Sequence, residues 1–283
     1  YPRPVVKGFI SLWPLTRLAK KLSAHPPFRQ LSRLLTDERI MQVTFVPVAE
    51  DIPGPESMAL PRQAIAALIE ASSHRFIHDG CICRNHEGCT RYPRESGCIF
   101  LGKAAAHLHP SIGHRASVEE CLEHLEKASR AGLTGMVGRI WFDATSLGVL
   151  RHFRDFVVVC FCCDCCCLVR TDMREAGPSV KGAIRKLSSV RVQVGDACRG
   201  CGTCERTCFV GAVSLHDGKA RIDEEQCKGC GRCAQACPNQ AIRVDFDRDD
   251  SMFRELLQRA GAMSGEEVAG EDRGLPGGPR GNG

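Results

Sequence analysis

The chain has 283 residues, a formal net charge of +5 and 43% hydrophobic residues, enough to bury a sizeable core and to build two domains. These values exclude wholesale disorder, and the charge is too small to argue for nucleic acid. The 19 cysteines are an odd number, which excludes pairing every thiol within the chain. Metal explains them better than disulfides. Disulfide-dense proteins are small secreted domains without a core, and neighbours such as Cys165, Cys166 and Cys167 make poor disulfide partners and good soft ligands. No apolar run reaches the roughly 18 residues of a membrane span. The start lacks the ordered regions of a secretory leader, so a reducing cytoplasm is the expected location. The first residue is Tyr1 and not methionine, which leaves open that a leader was removed.

Residues 1–60 read as a basic N-terminal helical segment and linker. Helical pieces break at Pro14 and at Pro26-Pro27, with Leu15, Leu18 and Leu22 opposite Arg17, Lys20 and Lys21. Two uses fit this pattern: a helix packed on the body with a solvated basic face, or a peripheral contact with a membrane surface or an acidic partner. An apolar strand is expected over 43–48, a loop at Pro53, Gly54, Pro55 and Pro61, and a helix over 62–73.

Residues 61–188 read as a cysteine-rich domain, expected to be mostly helical. Cys81, Cys83, Cys89 and Cys98 stand among Gly80, Gly88, Pro93 and Gly97, which reads as irregular backbone suited to metal ligation. Ser117 and Glu120 spell a capping box, and Gly132 stands where the C-terminal cap of that helix belongs. Cys121 inside the helix reads as a small buried hydrophobe. Residues 156–163 have the β-branched content of a buried strand and run straight into Cys165, Cys166 and Cys167. A further helix is expected over 179–188. Residues 189–248 read as a compact unit with an internal repeat, 249–263 as a C-terminal helix and 264–283 as a disordered tail rich in Gly, Pro and charge. The fold class expected for the whole is α+β.

The repeat is the strongest signal. Cys198, Cys201, Cys204 and Cys208 stand as C-x2-C-x2-C-x3-C, and Cys227, Cys230, Cys233 and Cys237-Pro238 repeat the spacing. Gly200 and Gly202 recur as Gly229 and Gly231. Three thiolates two residues apart can wrap three corners of an iron–sulfur cubane on a tight turn, and the fourth must come from elsewhere. Two structural zinc sites are the competing reading, since four-thiolate zinc also uses C-x2-C pairs. Each half should finish as a strand, over 212–215 and 242–245, with a hairpin through Asp217-Gly218 into 220–223.

On these residues the unit resembles the bacterial two-cluster ferredoxin family, in which each half's fourth cysteine goes to the other half's cluster. The resemblance implies that Cys198, Cys201, Cys204 and Cys237 hold one 4Fe-4S cluster, and Cys227, Cys230, Cys233 and Cys208 the second. One departure stands out: Cys208 is followed by Phe209 and not by proline, which puts the local turn in question.

Ten further cysteines lie upstream: Cys81, Cys83, Cys89, Cys98, Cys160, Cys162, Cys163, Cys165, Cys166 and Cys167. The motifs C-x-C-R, Cys98-Ile99-Phe100-Leu101-Gly102, R-x-S-x-E-E and C-x-C-C-x-C-C-C resemble the front part of a family of ferredoxin-containing iron–sulfur proteins of anaerobic microbes. The expectation is at least one additional iron–sulfur cluster, held by the first four of these cysteines with a subset of the run 160–167. A zinc site, a redox-active thiol set and unligated buried cysteines compete with it. His78 and His86 flank the first cysteines; two readings fit them, ligation or tuning of a cluster and exposed loop histidines, the second being the commoner.

No phosphate loop, dinucleotide turn or Ser/His/Asp constellation is recognisable, and no catalytic residue is assigned. The expected function is electron transfer to or from a redox protein partner. A reductase with the upstream cluster as its site, and an oxygen or redox sensor, stand as alternatives.

Overall fold

In the computed structural model the described residues are 8, 11–37, 39–46, 61–245 and 254. The upstream region is built on a seven-stranded sheet: β1 (Met41–Val46), β2 (Arg75–His78), β3 (Ile99–Leu101), β4 (Gly113–Arg115), β5 (Thr134–Ile140), β6 (Val157–Cys162) and β7 (Ile184–Arg185). The order across it is β4-β2-β3-β6-β5-β1-β7, antiparallel except for the parallel β1/β7 pair. β6 lies in the middle and feeds both cores. Val157, Val159 and Phe161 join the larger core and Val158 the smaller one around Phe76, Phe100 and Phe156, so the strand reads as a continuous apolar run and not as an alternation. Gly138 on β5 sits where a Cβ would lie 2.0 Å from the carbonyl oxygen of Gln42 on β1.

Two helices cover the larger core. In Val118–Arg130 the buried Cys121, Leu125 and Ala128 fall three and four residues apart, on one face. Ser117 Oγ accepts from the Glu120 amide at 3.1 Å and the Ser117 amide donates to Glu120 Oε2 at 2.8 Å, the expected capping box. In Pro61–Ala71 the buried face is Ala64, Ile65, Leu68 and Ile69.

Downstream, β8 (Arg191–Val194) pairs with β11 (Ile242–Asp245), and β9 (Val213–His216) with β10 (Lys219–Ile222) through the two-residue turn Asp217-Gly218, both with positive φ. The repeat in sequence is a repeat in backbone: Gly200 and Gly229 share φ 63°, and Gly202 and Gly231 have φ 73° and 71°. These left-handed positions open the short helices Thr203–Thr207 and Arg232–Gln235. Buried residues of this unit, among them Val210, Ala212 and Ile242, belong to the same core as the sheet.

Several expectations are corrected. The upstream domain is organised by a sheet and is not mostly helical; strands of three or four residues such as β2, β3 and β4 are too short to display a period. The helix expected over 179–188 is Pro178–Gly182 followed at once by β7, because Ile184 pairs with Val43. The break expected at Pro14 is present, a turn at Leu12 separating helical Ser11 from the helix Trp13–Leu22, which Pro14 opens. The basic face of that helix is turned to the body. Lys20 Nζ donates to the carbonyls of Thr171 (2.8 Å) and Leu168, Arg17 pairs with Glu87 (3.0 Å), and Lys21 with Glu175 (3.1 Å). Leu15 and Leu18 face out instead, at 59% and 52% exposure, while Leu22 is half-buried; in the next helix, Phe28–Leu35, Leu31 and Leu34 are exposed as well. The loop before Pro61, the helix 249–263 and the tail 264–283 lie outside the described residues, Pro61 and Arg254 excepted. Among the described residues no helix is long and apolar enough to cross a membrane.

Candidate metal centres

The downstream repeat folds its thiols into two groups that exchange a member. Cys198, Cys201, Cys204 and Cys237 line one small pocket with Gly200, Gly202, Leu215 and Ile242, so the fourth cysteine comes from the second half of the repeat. Cys233 lies within electrostatic reach of Cys230, Cys227 and Cys208, the reciprocal exchange. Main-chain amides point at the sulfurs: Ala212 N to Cys208 Sγ at 3.2 Å and Ala241 N to Cys237 Sγ at 3.3 Å, four residues on in each half. The turn after Cys208 forms without proline, Gly211 (φ 77°) and Gln240 (φ 49°) occupying equivalent left-handed positions. Phe209 serves another purpose. Its ring packs edge-on against Phe45 of β1 (5.1 Å) and lies under the Arg170 guanidinium (5.1 Å), tying the repeat to the sheet.

The ten upstream cysteines meet because of strand direction. β2 and β6 are both antiparallel to β3, so the C-terminal ends of β2 and β6 and the start of β3 share one sheet edge. The segments 81–89 and 160–167 and Cys98 all converge there. The sulfurs divide into three groups. Cys89, Cys163, Cys165 and Cys166 lie within 4.8 Å of one another, with Cys89–Cys165 at 3.7 Å and Cys165–Cys166 at 3.3 Å. Cys81, Cys83, Cys162 and Cys167 form a second set through sulfur–sulfur hydrogen bonds, Cys83 reaching both Cys167 and Cys81, and Cys162 reaching Cys167. These bonds hold Cys167 well below the ordinary thiol range and bring Cys81 down to about 7, while Cys83 and Cys162, as donors in buried surroundings, are pushed up. Cys98 and Cys160 make a separate pair at 3.0 Å. The four cysteines expected to act together, 81, 83, 89 and 98, are thus distributed over three groups. Cys121 is apart from all of them, fully buried, with burial raising its thiol to about 12.

Buried cations surround these groups. Arg84 is fully buried on the short helix Ile82–His86, and its guanidinium donates to the carbonyls of Pro93 (2.7 Å), Phe161 (2.6 Å) and Ser96. Among the described residues it has no carboxylate partner, and the charges it feels are those of Cys81, Cys163, Cys98 and Cys162, members of all three groups. Arg170, buried as well, pairs with Asp164 at 2.9 Å and lies between Cys230 of the repeat and Cys162 and Cys167 upstream. Asp164, inside the cysteine run, also accepts from Arg232 Nε at 2.8 Å, while Arg232 reaches the Tyr92 hydroxyl (3.0 Å) and the carbonyl of Gly132 (3.1 Å). Sequence reading passed over Arg84, Asp164 and Arg170. The signal available for the first two was position: Arg84 completes C-x-C-R and Asp164 is the one non-cysteine in 162–167.

The donor sets of the repeat fit iron–sulfur groups, and upstream Cys89, Cys163, Cys165 and Cys166 lie close enough together to hold a metal ion. Four soft sulfurs on short turns, amides aimed at sulfur and buried guanidiniums to offset negative charge are what such a group needs from a protein. His78 and His86 belong to neither upstream four-sulfur set; His78 Nδ1 instead accepts from the Gly80 amide at 3.3 Å. No curated protein and no solved structure matches the chain. One family does: residues 197–249, the cysteine repeat, match the 4Fe-4S dicluster domain, and the chain carries such a domain there.

Proposed function

We propose that the chain is an iron–sulfur electron-transfer protein with four 4Fe-4S sites. Two belong to the dicluster domain, held by Cys198, Cys201, Cys204 and Cys237 and by Cys227, Cys230, Cys233 and Cys208. Two lie upstream, held by Cys89, Cys163, Cys165 and Cys166 and by Cys81, Cys83, Cys162 and Cys167. Clusters bound in these places supply reversible one-electron transfer. The chain's own residues hold them, keep water from the inner ones and set the local charge. The observation that carries the upstream half is Arg84: a fully buried cation that has no carboxylate partner among the described residues needs negative charge beside it, and the thiols of Cys81, Cys163, Cys98 and Cys162 are placed to provide it.

The arrangement suits a relay with two ends. Cys201 is exposed, so the first site reaches the surface where a redox partner protein can approach. Arg170, Asp164 and Arg232 join the other dicluster site to the upstream sets through buried or half-buried ion pairs. Peripheral contact with a membrane through basic charge is weakened as a reading, because Arg17, Lys20 and Lys21 are engaged with the body. The test is a reductive titration of protein purified without oxygen and with its thiols reduced. Uptake of about four one-electron equivalents per chain is expected. Uptake of about two would confine electron transfer to the dicluster domain and overturn the upstream half.

A further inference from the structure

The Cys98–Cys160 pair is left over when the upstream sulfurs are sorted into fours. The two residues lie one step beyond the paired Ile99 and Val159 of β3 and β6, directly opposite in register, with sulfurs 3.0 Å apart. Both pack against the smaller core, Cys160 against the larger one as well, whereas Cys89, Cys162, Cys163, Cys165, Cys166 and Cys167 join the larger core alone. They line a cavity of about 330 Å³, a size that suits a small molecule. Its wall is largely apolar, with Phe100, Met136, Trp141, Leu147 and Val158, and Cys81, Cys83, Cys162 and Cys167 line it too, so the cavity is shared with the second upstream set and a cluster held there takes up part of its volume. Asp143, on the helix Trp141–Ser146, lines the same cavity and lies within electrostatic reach of Cys160.

We infer that Cys98 and Cys160 are a redox-active dithiol, not cluster ligands, and that the cavity admits a small apolar disulfide which they reduce. This rests on the electron-transfer reading, which supplies the reducing equivalents. One sulfur attacks the substrate RS–SR, forming a mixed disulfide and releasing one RSH. The other attacks the mixed disulfide, closing the Cys98–Cys160 bond and releasing the second RSH. The two protons of the dithiol leave on the two product thiols. Reopening the bond takes two electrons, delivered singly by a ferredoxin-type one-electron donor, and two protons, for which Asp143 is the carboxyl at hand. The design joins one-electron supply to two-electron chemistry.

The test uses the holoprotein, purified without oxygen and incubated with dipropyl disulfide, then quenched in acid, alkylated and mapped by mass spectrometry. A Cys98–Cys160 linked peptide is expected, with two propanethiols released per chain and the iron content unchanged. Cys98→Ser and Cys160→Ser should each retain full iron and lose the linked peptide, with thiol release down at least tenfold. Loss of about four irons from either variant, or of one zinc, makes the pair metal ligands and overturns the proposal. So does recovery of both cysteines fully alkylated after exposure of the unsubstituted protein. Reduced methyl viologen should reopen the bond. A bond that forms but stays closed refutes the electron-delivery reading and leaves the dithiol standing.

Discussion

The dicluster repeat and the upstream cysteine region solve the same problem in opposite ways. In the repeat, three of four sulfurs at each site come from one seven-residue turn whose glycines set the backbone, so ligand geometry is local. Upstream, each set takes sulfurs from both 81–89 and 160–167, which meet only because β2 and β6 run parallel on either side of β3. A site built locally survives damage elsewhere in the fold. A site built across a sheet is only as secure as the sheet, and it needs its own buried countercharge, Arg84.

The comparison is sharpest at Arg84. Arg84→Leu removes a buried charge and leaves three carbonyls without donors, a loss of roughly 3–5 kcal/mol. About eight irons should go with it while the dicluster domain keeps its own, read by iron analysis and EPR; unchanged iron would refute its role. Cys201→Ala works in the opposite region and should cost about four irons, leaving the upstream spectrum intact. Gly138→Ala forces a Cβ to within 2.0 Å of the Gln42 carbonyl and strains the β1/β5 pair. A loss of about 2–3 kcal/mol of stability, read as a lowered urea midpoint, is expected, together with partial loss of upstream iron only.

Asp143 tests the cavity through pH. Burial raises its carboxyl from 3.8 to about 7, so between those values the unfolded chain ionises while the folded chain keeps its proton. Stability therefore falls as pH rises across that window. Asp143→Asn should melt higher than the unsubstituted protein at pH 7, by up to roughly 3 kcal/mol, with the difference closing near pH 4. A difference independent of pH would count against burial as the cause. The smallest effect is expected at Ser117→Ala, about 1 kcal/mol from the lost cap with no change in iron, since that helix contributes no sulfur to any site.

The same contrast explains what was legible in the sequence. The dicluster ligands, the hairpin at Asp217-Gly218 and the Ser117 capping box are local, and spacing displays them directly. The sorting of Cys81, Cys83, Cys89 and Cys98 into three groups depends on which strand lies beside which, and nothing in the spacing of those four encodes it. Strands of three or four residues leave too little periodicity to reveal the sheet that does the sorting. Phe209 illustrates a milder case: its departure from the family's proline was visible, but its purpose required Phe45 and Arg170, distant in sequence, to be seen beside it.

The central claim is that the upstream sulfurs make two further four-iron sites beside those of the dicluster domain. Iron and acid-labile sulfide per chain, measured on protein purified without oxygen, test it most directly. The account predicts about sixteen of each. About eight of each would confine the clusters to residues 197–249 and contradict it.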